Sequence, residues 1–199
     1  MSKSKIAPIT QARVPRIAVG ITGSSGAVYA VDFLKRYPHD KFLVMSKWGK
    51  AVLKDELKMN DPAHSLAPYC KRQFADTDLT APLASGTTAL DAFVIIPATT
   101  STIGKIASGI GDTLITRTAA VCLKERYKLI ICVRETPLST ITLRQCADLS
   151  QSGAIIMPIS PPLYFVPETV EEYVQGFVNK VLMQCGIAVG DGWRADELE

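Results

Sequence analysis

Apolar residues along this chain come in short continuous runs, and each run ends in a polar or glycine-containing turn. The runs predict five β-strands, at residues 16–22, 41–45, 92–97, 128–133 and 154–157. They are apolar almost throughout and do not alternate with polar residues. This pattern is typical of strands that are buried on both faces, as in a parallel sheet covered by helices.

Between the strands, apolar residues recur at helical spacing. The predicted helices lie at residues 27–36, 47–59, 117–125, 138–152 and 170–185, and a glycine-punctuated apolar stretch covers 103–110. Residues 60–82 are polar and irregular, so a surface excursion is predicted there. The alternation predicts an α/β fold with a doubly wound parallel sheet, a Rossmann-like (flavodoxin-like) three-layer single domain over residues 16–199.

The composition is that of a globular protein that needs no metal or disulfide to fold. The 199 residues are 47% hydrophobic and 21% charged, and a chain of this length buries about 70% of its unfolded surface. The longest apolar runs fall short of the roughly 20 residues that a membrane-spanning helix needs. The five cysteines are odd in number and share no CxxC spacing. We therefore expect reduced thiols, a cytoplasmic protein and no membrane partner.

Positive charge is concentrated near the N-terminus. The net charge is +3, and the first sixteen positions contain four basic residues and no acidic one: Lys3, Lys5, Arg13 and Arg16. Residues 1–15 are therefore predicted to be a basic, flexible tail, with a partner-binding arm as the alternative. The remaining chain is nearly neutral and has no basic stripe interleaved with aromatic residues, which excludes a nucleic-acid partner.

The turns that follow the strands carry the candidate chemistry, because doubly wound sheets bind ligands at the carboxyl ends of their strands. Gly23, Ser24, Ser25 and Gly26 follow the first strand. Glycines permit close approach to the backbone, and the start of the next helix presents free N–H groups to an anion. The turn thus predicts a phosphate site. An ordinary turn is the alternative, since the full GxGxxG fingerprint is absent.

Hydroxyl groups follow the second and third strands. Ser46 comes after the second strand, and Thr99, Thr100, Ser101 and Thr102 come after the third. Each of these residues fits a helix N-cap by itself. Together they indicate a polar rim for a phosphate-carrying cofactor such as a mononucleotide.

Charged residues follow the fourth strand. Arg134 and Glu135 form either a structural ion pair, or an arginine that binds phosphate beside a glutamate that exchanges a proton. The two histidines of the chain, His39 and His64, fall in polar loop sequence. We therefore expect neither a histidine-centred acid–base mechanism nor a metal site.

Several longer segments form a recognisable set: ITGSSGAVYA, LVMSKWGKAVLKDE, APLASGTT, IIPATTSTIGKIASGIG and SGAIIMPISPPLYFVPETVEE. The most specific block is LKERYKLIICVRETPL. Over residues 16–187 the chain resembles the UbiX/Pad1-type flavin prenyltransferases, which belong to the flavoprotein superfamily of FMN-binding cysteine decarboxylases. The wider superfamily shares the third-strand pattern but lacks the specific block.

The resemblance implies an enzyme that binds reduced FMN and transfers a dimethylallyl group from dimethylallyl phosphate, forming bonds at N5 and C6 of the flavin. The product, prenylated FMN, would serve a UbiD-type decarboxylase as cofactor. Family members need no metal and are typically homododecamers. Whether the donor is a monophosphate or a diphosphate stays open.

The family motifs also imply binding roles. FMN would be bound by Gly23, Ser24, Ser25, Ser46, Thr99, Thr100, Ser101, Thr102 and Arg134. The prenyl phosphate would be bound by Tyr164 and Lys180. Lys180 stands where the family often has Arg, which keeps the charge but loses bidentate geometry. Leu79 stands where some relatives have an aromatic residue, so one ring that could stabilise a cation is absent.

The implied catalytic residues are Ser25, Glu56, Arg117, Lys124 and Glu135. Ionising an allylic phosphate creates a dianion and a carbocation, so the site must supply positive charge and hydrogen-bond donors. From the sequence alone, Arg117, Lys124 and Lys180 each fit a solvated surface charge on a helix better than a site residue.

Two other functions remain as alternatives. An FMN-dependent cysteine decarboxylase would need a histidine beyond the first helix and an Asn-containing substrate motif, and the chain has neither. A catalytically silent FMN carrier or scaffold would keep the fold without the chemistry. Retention of Glu56, Lys124 and Glu135 together argues against it.

Overall fold

The computed structural model describes residues 15–190, so the predicted tail lies almost wholly outside the described residues. The strands are β1 (Arg16–Ile21), β2 (Asp40–Met45), β3 (Arg72–Ala75), β4 (Ala92–Ala98), β5 (Lys128–Val133) and β6 (Ile155–Pro158). The helices are α1 (Ala27–Arg36), α2 (Lys47–Leu57), α3 (Pro62–Leu66), α4 (Thr100–Ala107), α5 (Leu114–Glu125), α6 (Thr140–Gln151) and α7 (Val170–Gln184).

The six strands form one parallel sheet in the order β3-β2-β1-β4-β5-β6. The chain first builds outward from β1 to β3 and then returns to the other side of β1 with β4. The strand order therefore reverses between β1 and β4. Such a reversal is a topological switch point, where open α/β sheets bind their ligands. The predicted doubly wound α/β fold is confirmed.

Both faces of the sheet are buried. On β1, Ile17, Val19 and Ile21 pack into one cluster with residues of α1, α2 and α7, while Ala18 belongs to a second cluster with residues of α4, α5 and α6. Burying one large aliphatic side chain stabilises the fold by roughly 1.5–3 kcal/mol. A sheet covered in this way needs apolar residues at successive positions, which explains the continuous apolar runs in the sequence.

The prediction of an irregular excursion over residues 60–82 is wrong in part. The segment contains the short helix α3, which Asp61 caps with its side chain, and the edge strand β3. β3 is only partly buried and contains Arg72 and Gln73 instead of an apolar pair. Its hydrophobic pattern is therefore too weak to predict a strand, as is common at a sheet edge.

The other predicted elements are confirmed, with ends that differ from the prediction by at most three residues. The glycine-punctuated stretch at 103–110 is the later part of α4 and the turn after it, because the helix already begins at Thr100. No helix in the described part of the chain is long and apolar enough to cross a membrane.

The cysteines are free thiols, as expected. Two of them, Cys122 and Cys132, are buried, and burial raises the pKa of the Cys122 thiol to about 12. A thiol with such a pKa stays protonated at neutral pH, and only the thiolate is a strong nucleophile. Cys122 therefore contributes to packing and not to covalent chemistry.

Candidate active site at the switch point

A cleft of about 500 Å³ opens at the carboxyl ends of β1, β2 and β4. This volume lies within the range of small-molecule sites. The sequence-predicted FMN-binding residues in its lining are Gly23, Ser46, Thr99, Ser101 and Thr102. Thr100, the first residue of α4, does not belong to the lining.

Thr22 joins the ends of β1 and β4 beside this cleft. Its hydroxyl donates to Pro97 O (2.8 Å) and accepts from Thr99 N (2.9 Å), and its own N–H donates to Pro97 O (3.2 Å). Thr22 is buried, so removing the hydroxyl would leave the Thr99 N–H without this partner, at a cost of about 1–3 kcal/mol. The bonds fix the two strand ends that flank the switch point.

Ser46 and Thr99 cap the helices α2 and α4. Ser46 Oγ accepts from Gly49 N (2.9 Å), and Thr99 Oγ1 accepts from Thr102 N (3.2 Å). The N-cap alternative is therefore confirmed for both residues. A hydroxyl that accepts a capping bond still has a proton to donate, so capping and ligand binding are compatible. At Ser46 that proton can be donated to an anion in the cleft.

Two glycines let α2 pack directly on the end of β1. A Cβ at Gly23 would lie 2.4 Å from Trp48 Cβ, and a Cβ at Gly49 would lie 2.3 Å from Ile21 O. Both distances are shorter than any ordinary van der Waals contact. The first turn of α2 therefore forms a wall of the cleft, with Lys47 and Trp48 in the lining.

The start of α1 is occupied by a carboxylate of the chain itself. Glu56, on α2, accepts from Gly26 N (3.1 and 3.0 Å to its two oxygens) and from Ala27 N (2.9 Å). Gly26 has no side chain with which to cap α1, and Glu56 takes that role. The prediction that this turn offers free N–H groups to a phosphate is wrong for these two groups. Glu56 lies 30 residues from Gly26, so no local pattern reveals the contact.

Ser24, Ser25, Arg134 and Glu135 lie around the same turn. Ser24 Oγ donates to Arg134 O (2.5 Å), Ser25 is exposed, and Glu135 Oε1 accepts from Thr136 N (2.9 Å). Among residues 15–190, no ion pair joins Arg134 to Glu135, so the structural ion-pair alternative is wrong. Both charged side chains are exposed and available to a ligand.

Tyr164 and Lys180, which are predicted to bind the prenyl phosphate, and the predicted catalytic residues Arg117 and Lys124 lie outside the cleft lining. Arg117 and Lys124 are exposed on α5, and Lys124 Nζ lies 2.9 Å from Glu125 Oε1. Tyr164 is 51% exposed in the segment before α7, and Lys180 is exposed on α7. The described part of one chain does not bring these side chains to the cleft by itself.

Several residues of the cleft lining were not predicted from the sequence. Lys47 and Trp48 follow Ser46 directly, and extending the strand-end rule by two positions would have found them. Asp76 follows β3, the strand that was not predicted, and its Oδ1 accepts from Ile115 N (2.9 Å) at the start of α5. The others in the lining are Thr22, Lys105, Thr113, Ile115 and Thr116.

Known proteins share both the sequence and the fold. Residues 6–181 match the family model described as Flavoprotein. The chain is 45% identical to the flavin prenyltransferase UbiX of Thermoplasma acidophilum, over 86% of this chain and 95% of that protein. It is 40% identical to the flavin prenyltransferase LpdB of Lactiplantibacillus plantarum, over 84% of this chain and 90% of that protein.

Solved structures agree with this match. The crystal structure of AnUbiX in complex with FMN and dimethylallyl pyrophosphate has a TM-score of 0.85 and 33% identity, covering 92% of this chain and 100% of that one. A dodecameric FMN-dependent UbiX-like decarboxylase from Escherichia coli O157:H7 has a TM-score of 0.83 and 35% identity, over 90% of this chain and 98% of that one. The peptidyl-cysteine decarboxylase EpiD, at 19% identity and a TM-score of 0.60, shares the fold alone. This chain belongs to the Flavoprotein family and, within it, to the UbiX-type flavin prenyltransferases.

Proposed function

We propose that this chain joins the dimethylallyl group of dimethylallyl phosphate to N5 and C6 of reduced FMN, which is a substrate of the reaction. The products are prenylated FMN and phosphate. The observation that carries the proposal is the cleft at the switch point, where hydroxyl groups from successive strand ends surround about 500 Å³. Hydroxyl groups in a space of this size fit the phosphate and ribityl groups of a flavin mononucleotide.

The leaving phosphate sets the second requirement. Breaking the allylic carbon–oxygen bond produces a carbocation and a phosphate dianion, so donors and positive charge must already be aimed at the phosphate. Arg117, Lys124, Tyr164 and Lys180 supply these groups. Excluding water protects the cation until the carbon–nitrogen bond forms. Removing one donor from a preorganised site of this kind costs about 3 kcal/mol of barrier.

The site is completed by another copy of the chain. In support, the four phosphate-binding residues are exposed and stand apart from the cleft lining. Next to Tyr164 the chain exposes further large apolar side chains, at Leu163, Phe165, Val166 and Val170. Monomeric proteins rarely expose a large contiguous apolar patch. The UbiX-like relative from Escherichia coli O157:H7 is dodecameric. We therefore propose a homododecamer in which neighbouring copies share each site.

Charges placed in this apolar surface are expected to break the assembly. Val166 and Val170 are 77% and 72% exposed, and replacing both by aspartate introduces charges that a buried interface cannot solvate. Sedimentation velocity should show smaller species, and turnover should fall with the loss of large particles. Glu168→Ala removes a charge from the same segment and introduces none, so it should leave the assembly intact. A double variant of unchanged size would reject this surface as an interface.

The proposed activity is tested directly by anaerobic incubation with reduced FMN and dimethylallyl phosphate. The flavin released afterwards should show the mass of the prenylated product and an altered absorbance spectrum, and a chelator should not change the yield. The diphosphate donor is tested in parallel. FMN recovered unchanged from protein that binds it would instead support the silent carrier. Carbon dioxide released from a cysteine-ended peptide would support the cysteine decarboxylase.

The recipient of the product is a UbiD-type decarboxylase, and the protein acts in the cytoplasm. This part of the proposal rests on the family resemblance. Adding the reaction mixture to an inactive, cofactor-free decarboxylase of that type should restore its activity. A mixture made without the prenyl donor is the control, because it contains FMN but no prenylated FMN.

A further inference from the structure

Two lysines line the cleft, and only one of them forms an ion pair with a carboxylate. Lys105 Nζ lies 2.6 Å from Asp112 Oδ2, so a carboxylate already balances its charge. The hydrogen bond from Lys105 also lowers the pKa of the Asp112 carboxyl group, which keeps that carboxylate ionised. Lys47 has no carboxylate partner within residues 15–190. Lys47 therefore brings to the lining a positive charge that is not held in an ion pair.

The Lys47 ammonium lies against an aromatic ring. Its Nζ is 5.3 Å from the centroid of the Trp48 ring, which is within the range of a cation–π contact. The Trp48 backbone is fixed because its Cβ packs against Gly23, yet the residue is 67% exposed at the cleft. The contact with this ring favours one position of the Lys47 ammonium. The entropy that Lys47 loses on binding an anion is then smaller.

The neighbouring groups favour a phosphate next to Lys47. Ser46, directly before it, has a hydroxyl proton to donate into the cleft. The acidic residue of the lining, Asp76, already accepts a hydrogen bond from Ile115 N at the start of α5. Arg134, which the family resemblance connects with FMN, does not belong to the lining.

We propose that Lys47 binds the phosphate group of FMN and that Trp48 is a positioning residue that holds the Lys47 ammonium in the cleft. This inference rests on the proposed function, because the anion is that of the flavin substrate. It assigns the flavin phosphate to the end of β2, beside Ser46. The start of α1 is unavailable for that purpose because Glu56 occupies two of its N–H groups.

Riboflavin provides the decisive comparison, since it is FMN without the phosphate. Dissociation constants of both flavins are measured by flavin fluorescence for the wild type, Lys47→Ala and Lys50→Ala. Lys50 is exposed on the same helix but does not belong to the cleft lining. We expect Lys47→Ala to weaken FMN about tenfold, the usual loss for a charged hydrogen-bond partner, and to change riboflavin less than about twofold. Lys50→Ala should change neither.

The same measurement separates the role of Trp48 from a general structural role. Trp48→Leu should weaken FMN several-fold while riboflavin binding changes less, and Trp48→Phe should keep most of the FMN preference. Equal losses for both flavins in Lys47→Ala would overturn the inference, as would a loss selective for FMN in Arg134→Ala with Lys47→Ala unaffected. A wild type that binds neither flavin would instead reject the proposed function, and the inference with it.

Discussion

Gly49→Ala is expected to lower the free energy of unfolding by about 3 kcal/mol and to abolish FMN binding. Gly49 is buried in the first turn of α2, and a Cβ there would lie 2.3 Å from Ile21 O and 2.9 Å from Ile21 C. These are backbone atoms, which cannot rotate away as a side chain would. The helix must therefore move off the end of β1, and Ser46 and Lys47 move with it.

Helix propensity alone would predict that Gly49→Ala raises the free energy of unfolding, whereas we expect it to fall. Alanine is favoured over glycine in a helix interior by about 1 kcal/mol, and the steric conflict must exceed this gain. Gly104→Ala in α4 is the matched control, because its Cβ would lie 3.4 Å from the Gln145 side chain and no closer to any other group. That variant should be slightly stabilised. Urea unfolding and FMN titration measure both effects, and a Gly49→Ala protein that matches the wild type would refute the close packing of α2 on β1.

The second large effect is expected at two glutamates, where a change to glutamine should reduce turnover about a hundredfold. Glu135 is exposed beside Arg134, and we propose that it acts on the leaving phosphate. Glu135→Gln should therefore slow formation of the first bond, at N5. We propose that Glu56 removes the C6 proton, a step that is needed only for ring closure. Glu56→Gln should therefore slow the second step and leave the first unchanged.

The structure adds a control for Glu56, because its carboxylate also caps α1 through Gly26 N and Ala27 N. Glutamine keeps one acceptor oxygen, whereas Glu56→Ala loses the cap and about 1 kcal/mol of stability. Anaerobic rapid-mixing spectra report the two bond-forming steps, and thermal unfolding reports stability. If ring closure slows equally in both variants while only Glu56→Ala is destabilised, Glu56 acts as the base. If ring closure is normal in Glu56→Gln, then Glu56 is not the base and only caps α1.

The fold could be predicted because β1, β4 and β5 are buried almost throughout, so their sequences are continuously apolar. The rule that ligands meet the carboxyl ends of strands then led to Ser46, Thr99 and their neighbours. It failed at Asp76, since β3 is a partly buried edge strand with polar residues. It also could not reveal that Glu56 caps α1, because that contact depends on how two helices pack and not on the sequence around either end.

The positions of Arg117, Lys124, Tyr164 and Lys180 relative to the cleft could not be predicted for a different reason. Helical spacing identifies Lys124 and Lys180 as exposed positions, and they are exposed in the structure. Exposure on one chain does not distinguish a solvated charge from a charge that serves a neighbouring copy. The sequence of a single chain contains no information about that neighbouring copy, so it could not predict where these residues act.

The carboxylate at the start of α1 also bears on how the reaction ends. A phosphate ion released in the site can bind at those N–H groups only by displacing Glu56, which is tethered to the same chain and so has a high effective concentration, of the order of millimolar or more. A helix start left vacant would attract the departing dianion and retain it. With Glu56 in place, released phosphate cannot bind at the start of α1. Inorganic phosphate therefore has one binding site fewer from which it could inhibit further turnovers.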